Sequence, residues 1–181
     1  MTTITPLEQR RIRLGNDYGT MENIRRPWLK WRPLRGAPPF VEQYELELQL
    51  RTIVSSKPAY RDNHVIQITL GADYPVSSAP IVQMITKPFA FHPNWFPSSG
   101  RWCYGTWLVY ESLGAHVVRM IQTLQYNEDI TNEHSAANGE ARAWYLANRS
   151  RGLFPCDRTP LPDPTGTAQQ ATLKKKFQIK A

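Results

Sequence analysis

From residue 44 to 51 the chain reads Tyr-Glu-Leu-Glu-Leu-Gln-Leu-Arg. Apolar and polar residues alternate with period two, and an extended strand with one dry and one wet face satisfies that pattern. Such a strand needs strand neighbours at its edges and an apolar layer on the face of Tyr44, Leu46, Leu48 and Leu50. The flanking sequence supplies both. Residues 65–70 place Ile66, Ile68 and Leu70 on one face, and residues 81–86 read as a third strand. Residues 28–31, between Pro27 and Pro33, read as a short fourth. Residues 55–63 read as a turn. Short polar or proline-containing links predict an antiparallel meander.

Helices bracket this block. Thr5-Pro6-Leu7-Glu8 carries a cap, a proline at the first helical position and a glutamate three residues after the cap. Leu7, Leu14, Tyr18 and Met21 then recur on one side, with Arg10, Arg11 and Arg13 on the more exposed side. Gly15 and Gly19 predict an early end to this helix. Leu113, Val117, Ile121 and Leu124 form a buried-helix stripe behind a Ser112 cap, and Asn138 caps a last helix through Ala141, Trp144 and Tyr145. The predicted class is α+β: an N-terminal helix, about four antiparallel strands, a long loop and two C-terminal helices. Residues 1–154 form one domain, and the Pro-, Thr- and Lys-containing residues 155–181 read as a flexible tail.

The formal charge is +7, but residues 36–154 carry nine basic and ten acidic side chains, so the basic excess lies at the ends. That distribution argues against a nucleic-acid groove and fits either solvation or the docking of an acidic protein. No run of about 18 apolar residues and no secretory signal is present, so no membrane partner is expected. Two cysteines, with no Cys-x-x-Cys or close His pair, suggest a reducing cytoplasm, no disulfide framework and no metal or other cofactor.

The chemistry-bearing stretch is Phe-His-Pro-Asn-Trp-Phe-Pro-Ser-Ser-Gly-Arg-Trp-Cys-Tyr-Gly-Thr-Trp, residues 91–107. Cys103 is a candidate nucleophile, since a thiolate both attacks and leaves readily. Asn94 is a candidate oxyanion donor. Each has a plain alternative: free cysteines are often buried, and Pro-Asn is a common turn dipeptide. Gly100, Ser98 and Ser99 place backbone near the surface, with Pro97 and Trp102 to hold it still. Cys156 reads as an incidental thiol.

Residues 58–149 resemble ubiquitin-conjugating enzymes. The matching pieces are Tyr74-Pro75, the His92-Pro93-Asn94 tripeptide, Gly100 three positions before Cys103, and the two helices that follow. The resemblance implies that Cys103 accepts the C-terminus of a ubiquitin-like protein from an activating enzyme as a thioester, then passes it to an acceptor amine. It implies that Asn94 stabilises the oxyanion or holds the loop that does. His92, Pro93, Gly100, Trp102 and Tyr104 shape the active-site loop, and Arg10, Arg11 and Arg13 face the activating enzyme. Asp129 is the implied polar group on the acceptor side, with Asn132 and His134 as rivals. The match is divergent. Asn94 and Cys103 are nine positions apart, one more than usual, Trp107 comes early, and Trp102 and Tyr104 replace aliphatic neighbours. This pattern is similar to bacterial conjugating-enzyme-like proteins that work beside an activating enzyme, a ubiquitin-like protein and an isopeptidase, some in antiphage defence. The competing expectations are a non-catalytic binding variant of the same fold, a Cys-His hydrolase, and a basic-tail nucleic-acid binder.

Overall fold

The period-two segment is the second strand of a four-stranded sheet in the computed structural model, which describes residues 4–167. The strands are β1 Leu29–Arg35, β2 Gln43–Ser55, β3 Ala59–Thr69 and β4 Ile81–Met84, paired antiparallel in the order β1-β2-β3-β4. Directly opposed residues share a face, and the register sets Leu29 against Leu48, Leu46 against Ile66 and Ile66 against Met84. All of these are buried on one face. Onto that face packs α2, Leu113–Leu124, through Val117, Met120, Ile121 and Leu124, all fully buried. Burying each such side chain stabilises the fold by roughly 1.5–3 kcal/mol before ordering costs. The other long helix, α1, spans Pro6–Asn23, and α3 spans Gly139–Asn148 under its Asn138 cap.

Three local expectations change. Residues 59–63 extend β3 rather than turning, and the hairpin is confined to the three residues between Ser55 and Ala59. β1 runs through Pro33 because it is the sheet edge, where a missing N–H costs nothing in the ladder. The first helix does not stop at its glycines. Its Thr5–Glu8 capping box is complete and it runs 18 residues, although Leu7 is 76% exposed.

What holds α1 in place is a polar residue that the apolar stripe does not contain. Asp17 is buried and collects three donors: Arg13 Nε at 2.8 Å, the Tyr74 hydroxyl at 2.5 Å and the Leu113 N–H at 2.8 Å. The last is an otherwise unpaired donor at the start of α2, so one carboxylate caps one helix from another. Beside it, Thr20 Oγ1 accepts from the Gly114 N–H at 3.0 Å. A Cβ on Gly114 would stand 2.7 Å from the Thr20 carbonyl oxygen, so only glycine lets the helices approach this closely. Arg13 is therefore turned inward, its remaining nitrogens donating to the carbonyls of Val109 and Glu111, contrary to its expected exposure. Asp17→Ala should lower the unfolding free energy by about 3–5 kcal/mol, because it leaves an arginine and a tyrosine hydroxyl without their acceptor. Urea denaturation checks this, and a loss below about 1 kcal/mol would show that the tie contributes no more than a surface pair.

The chain does not become free at residue 155. Phe154 closes a second cluster with Ile53, Tyr126 and Tyr145. Beyond it a strap crosses the domain. The Cys156 N–H donates to the Gln125 carbonyl at 2.8 Å, and Asp157 accepts from the Arg51 N–H at 2.9 Å. Asn23 Nδ2 then donates to the Pro164 carbonyl at 2.9 Å. The expected flexible tail is thus corrected for residues 155–167. Residues 168–181, including Lys174, Lys175 and Lys176, lie outside the described residues. Among the described residues, no helix is long and apolar enough to cross a membrane.

Candidate active site

After β4 the chain enters the Pro-, Gly- and aromatic-rich stretch, which backbone hydrogen bonds fasten to the sheet. The Met84 N–H donates to the Gly100 carbonyl at 2.7 Å and the Trp102 N–H to the Val82 carbonyl at 3.0 Å. The same stretch folds on itself. Phe96 N–H reaches the Arg101 carbonyl at 2.8 Å, and Cys103 N–H reaches the Asn94 carbonyl at 2.9 Å. Gly100 sits where this turn closes, at φ +70°, and a Cβ there would meet the Phe89 ring at 2.6 Å and the Met84 carbonyl oxygen at 2.7 Å. Both the left-handed backbone and the lack of space require glycine. Buried Trp95 donates through Nε1 to the same Gly100 carbonyl at 2.8 Å.

The His-Pro-Asn tripeptide joins this loop to residues 127–137. His92 is fully buried, and its Nδ1 accepts from the Asn94 N–H at 3.0 Å, while its ring packs 4.2 Å from Tyr126. Burial pulls its pKa down to about 3, so the imidazole is neutral and serves as a fixed acceptor. The Pro93 carbonyl takes the N–H groups of Ala137 and Asn138 at 2.8 and 3.0 Å. The buried Asn94 amide pairs with the backbone of Asn132, its Oδ1 accepting at 2.9 Å and its Nδ2 donating at 3.3 Å. An amide nitrogen carries two protons, so one donor remains for a ligand.

Cys103 is half-buried and borders two adjoining concavities. One, of ≈ 240 Å³, is lined by Asn94, Cys103, Tyr104, Arg119, Thr123 and Asn132 among others. The other, of ≈ 460 Å³, shares Trp102, Cys103, Tyr104 and Gly105 with the first and adds Phe96, Ser99 and Arg101. No histidine lines either one. His116 is buried behind the loop, its ring 4.9 Å from those of Trp102 and Tyr104. A half-buried thiol that borders adjoining concavities, beside an amide donor, can receive an acyl group from one partner and yield it to another.

The structure brings Cys103, Asn94, Trp102 and Tyr104 together around one cleft, with His92, Pro93 and Gly100 as its supports. Asp129 is not among the cleft-lining residues. It sits exposed in a short 3-10 turn, Glu128–Ile130, while its rival Asn132 reaches the cleft and His134 is exposed. On α1, Arg10 pairs with Glu42 at 2.8 Å, and Arg11 lies 4.3 Å over the Phe40 ring. Sequence reasoning missed Arg119 and Thr123, both on α2 and facing the cleft. The pattern that betrays them is a positive charge and a hydroxyl four residues apart, on the side of α2 turned away from the Leu113–Leu124 stripe. No group of His, Cys, Asp and Glu among the described residues is arranged to hold a metal ion.

No family model matches the chain, and no curated protein sequence matches it. Solved structures do. A structure described as a novel ubiquitin-conjugating enzyme is 18% identical, with a TM-score of 0.53 over 80% of this chain and 89% of its own. S. cerevisiae Ubc12 is 15% identical, with a TM-score of 0.55 over 81% of this chain and 74% of its own. A putative ubiquitin-conjugating enzyme from Plasmodium yoelii is 16% identical, with a TM-score of 0.54 over 83% and 90%. The chain therefore has the ubiquitin-conjugating-enzyme fold.

Proposed function

We propose that this protein is a conjugating enzyme that carries a ubiquitin-like protein as a thioester on Cys103 and transfers it to an acceptor amine. The observation that carries the reading is the placement of Cys103 at the border of two adjoining concavities, with its own N–H tied to the carbonyl of Asn94. In the first step the Cys103 thiolate attacks the carrier's C-terminal thioester carbonyl. A new C–S bond forms at Cys103, and the activating enzyme's thiolate leaves. In the second step an acceptor amine attacks the Cys103 thioester. A C–N bond forms, the C–S bond breaks, the Cys103 thiolate departs, and the amine proton passes to water. The free donor on Asn94 Nδ2 suits the oxyanion of either intermediate, and its bonds to Asn132 hold the acceptor-side wall.

A Cys-His hydrolase needs an imidazole in reach of the thiol. His92 spends its Nδ1 on a backbone N–H, and His116 packs behind Trp102, which favours transfer over hydrolysis. Arg10 and Arg11 are the α1 residues assigned to the activating enzyme, and Asn132 takes the acceptor-side place first given to Asp129. From the sequence pattern around Cys103 we assign the pathway to the bacterial-type conjugation systems, some of which include an isopeptidase and act against phage.

The test is reconstitution with the activating enzyme, ATP and the ubiquitin-like protein of the same organism, read on a non-reducing gel. We expect a one-to-one adduct that a thiol reductant removes. Absence of any adduct while the activating enzyme is itself charged would overturn the reading.

A further inference from the structure

Arg119 is the one charged side chain of α2, and it reaches back over the active-site loop. Its Nη1 donates to the carbonyl of Tyr104, the residue after the proposed nucleophile, at 2.9 Å. Its Nε and Nη2 hold the two oxygens of Glu111 at 3.0 and 2.7 Å, a bidentate grip that fixes the plane of the guanidinium. Glu111 is anchored in turn, since its Oε2 also meets His116 Nδ1 at 3.2 Å. Burial works against the Glu111 charge, but hydrogen bonds from His116 and Arg119 outweigh it and hold the carboxyl below its ordinary range. The guanidinium lies 5.5 Å from the Trp102 ring and 5.9 Å from the Tyr104 ring.

Cys103 is fixed on its upstream side by the bond to Asn94. Downstream, the chain turns through exposed Gly105 at φ +80°, a residue with no side chain to hold it. The Tyr104 carbonyl, one residue before that turn, is where Arg119 takes hold. The aromatic flanks of Cys103 are part of the same device, because they form the surface on which the guanidinium rests.

We infer that Arg119 is a positioning residue: anchored by Glu111, it fixes the downstream side of Cys103 through the Tyr104 carbonyl and so holds the thioester for attack. The catalytic half of this inference rests on acylation of Cys103; the structural half does not. A displacement of about 1 Å in a reacting group costs roughly a hundredfold in rate, so a single lost tether is enough to matter.

Amide hydrogen exchange and single-turnover discharge test it on the full chain, as wild type, Arg119→Ala and Arg119→Lys. In Arg119→Ala, exchange at residues 104–107 should rise about tenfold with α2 and the sheet unchanged. The maximal rate of discharge to free lysine should fall roughly ten- to hundredfold, with the half-saturating lysine concentration within about twofold of wild type. Arg119→Lys keeps a donor for the carbonyl and should recover part of both effects. Unchanged exchange, unchanged discharge, or loosening spread over the whole domain overturns the inference. Should Arg119→Ala fail to fold, Glu111→Gln gives the same reading, since it weakens the anchor together with its bond to His116: loosening confined to 104–107 supports the tether and none refutes it. If the wild type never charges, the preceding function fails, and the exchange result still decides whether the tether exists.

Discussion

Cys103→Ala is expected to abolish the reductant-sensitive adduct, while Cys156→Ala leaves it at wild-type level. Exposure does not distinguish the two thiols, as both are half-buried and both border a surface concavity. Their surroundings do. Cys156 Sγ lies 3.4 Å from the Arg51 carbonyl and 3.5 Å from the Leu124 carbonyl, which suit a thiol and repel a thiolate. Burial pushes its pKa up to about 12. At pH 7 only about one part in 10⁵ of that group is thiolate, the form that attacks a thioester. Cys103 stands instead beside an amide donor and Arg119 in the cleft. Cys103→Ser should carry the adduct as an ester that reductant leaves intact. An adduct that survives Cys103→Ala and disappears in Cys156→Ala would move the chemistry under the strap and overturn the assignment.

Asn94→Ala is expected to slow discharge to an amine by about a hundred- to thousandfold, the loss seen when one oxyanion donor is removed. Charging should fall less, because transthiolation breaks a thioester to make another and needs less stabilisation of its intermediate. The geometry gives Asn94 a second task, since its amide also pairs with the backbone of Asn132. Asn94→Asp separates the two. It keeps an acceptor for the Asn132 N–H but loses both donors, so discharge should stay slow while the 127–137 loop stays protected from exchange. Full activity in Asn94→Asp would show that holding the loop is the whole of the residue's role.

The layered fold was legible because its signals are local. The alternation in β2, the Thr5–Glu8 box and the α2 stripe each depend on residues a few positions apart. Chemistry and spacing single out Cys103 and Asn94 as candidates, and the fold brings both to one cleft. The inward turn of Arg13 was not, because its acceptors on Val109 and Glu111 lie 96 and 98 positions away. Residues 59–63 misled because Arg61, Asp62 and Asn63 are polar, yet on a sheet with one wet face polar residues extend a strand as well as they end it. Arg51 pairs with Asp62 across that face at 2.8 Å. The resemblance asks for an acidic or polar group, which Asp129 and Asn132 both satisfy, and a three-residue shift in a loop decides which one meets the cleft. Arg119 was invisible for the same reason as Arg13: its role depends on where the Tyr104 carbonyl is brought, which sequence order does not state.

The strap also bears on how the protein is made. Its bond from Asn23 to Pro164 joins residues 141 positions apart, and Phe154 completes a cluster that begins at Ile53. Contacts of such long range form late, after shorter loops have closed. On the ribosome, the sheet and α2 are finished while residues 150–167 are still inside the exit tunnel. Until they emerge, Ile53, Tyr126 and Tyr145 lack the Phe154 ring that completes their cluster.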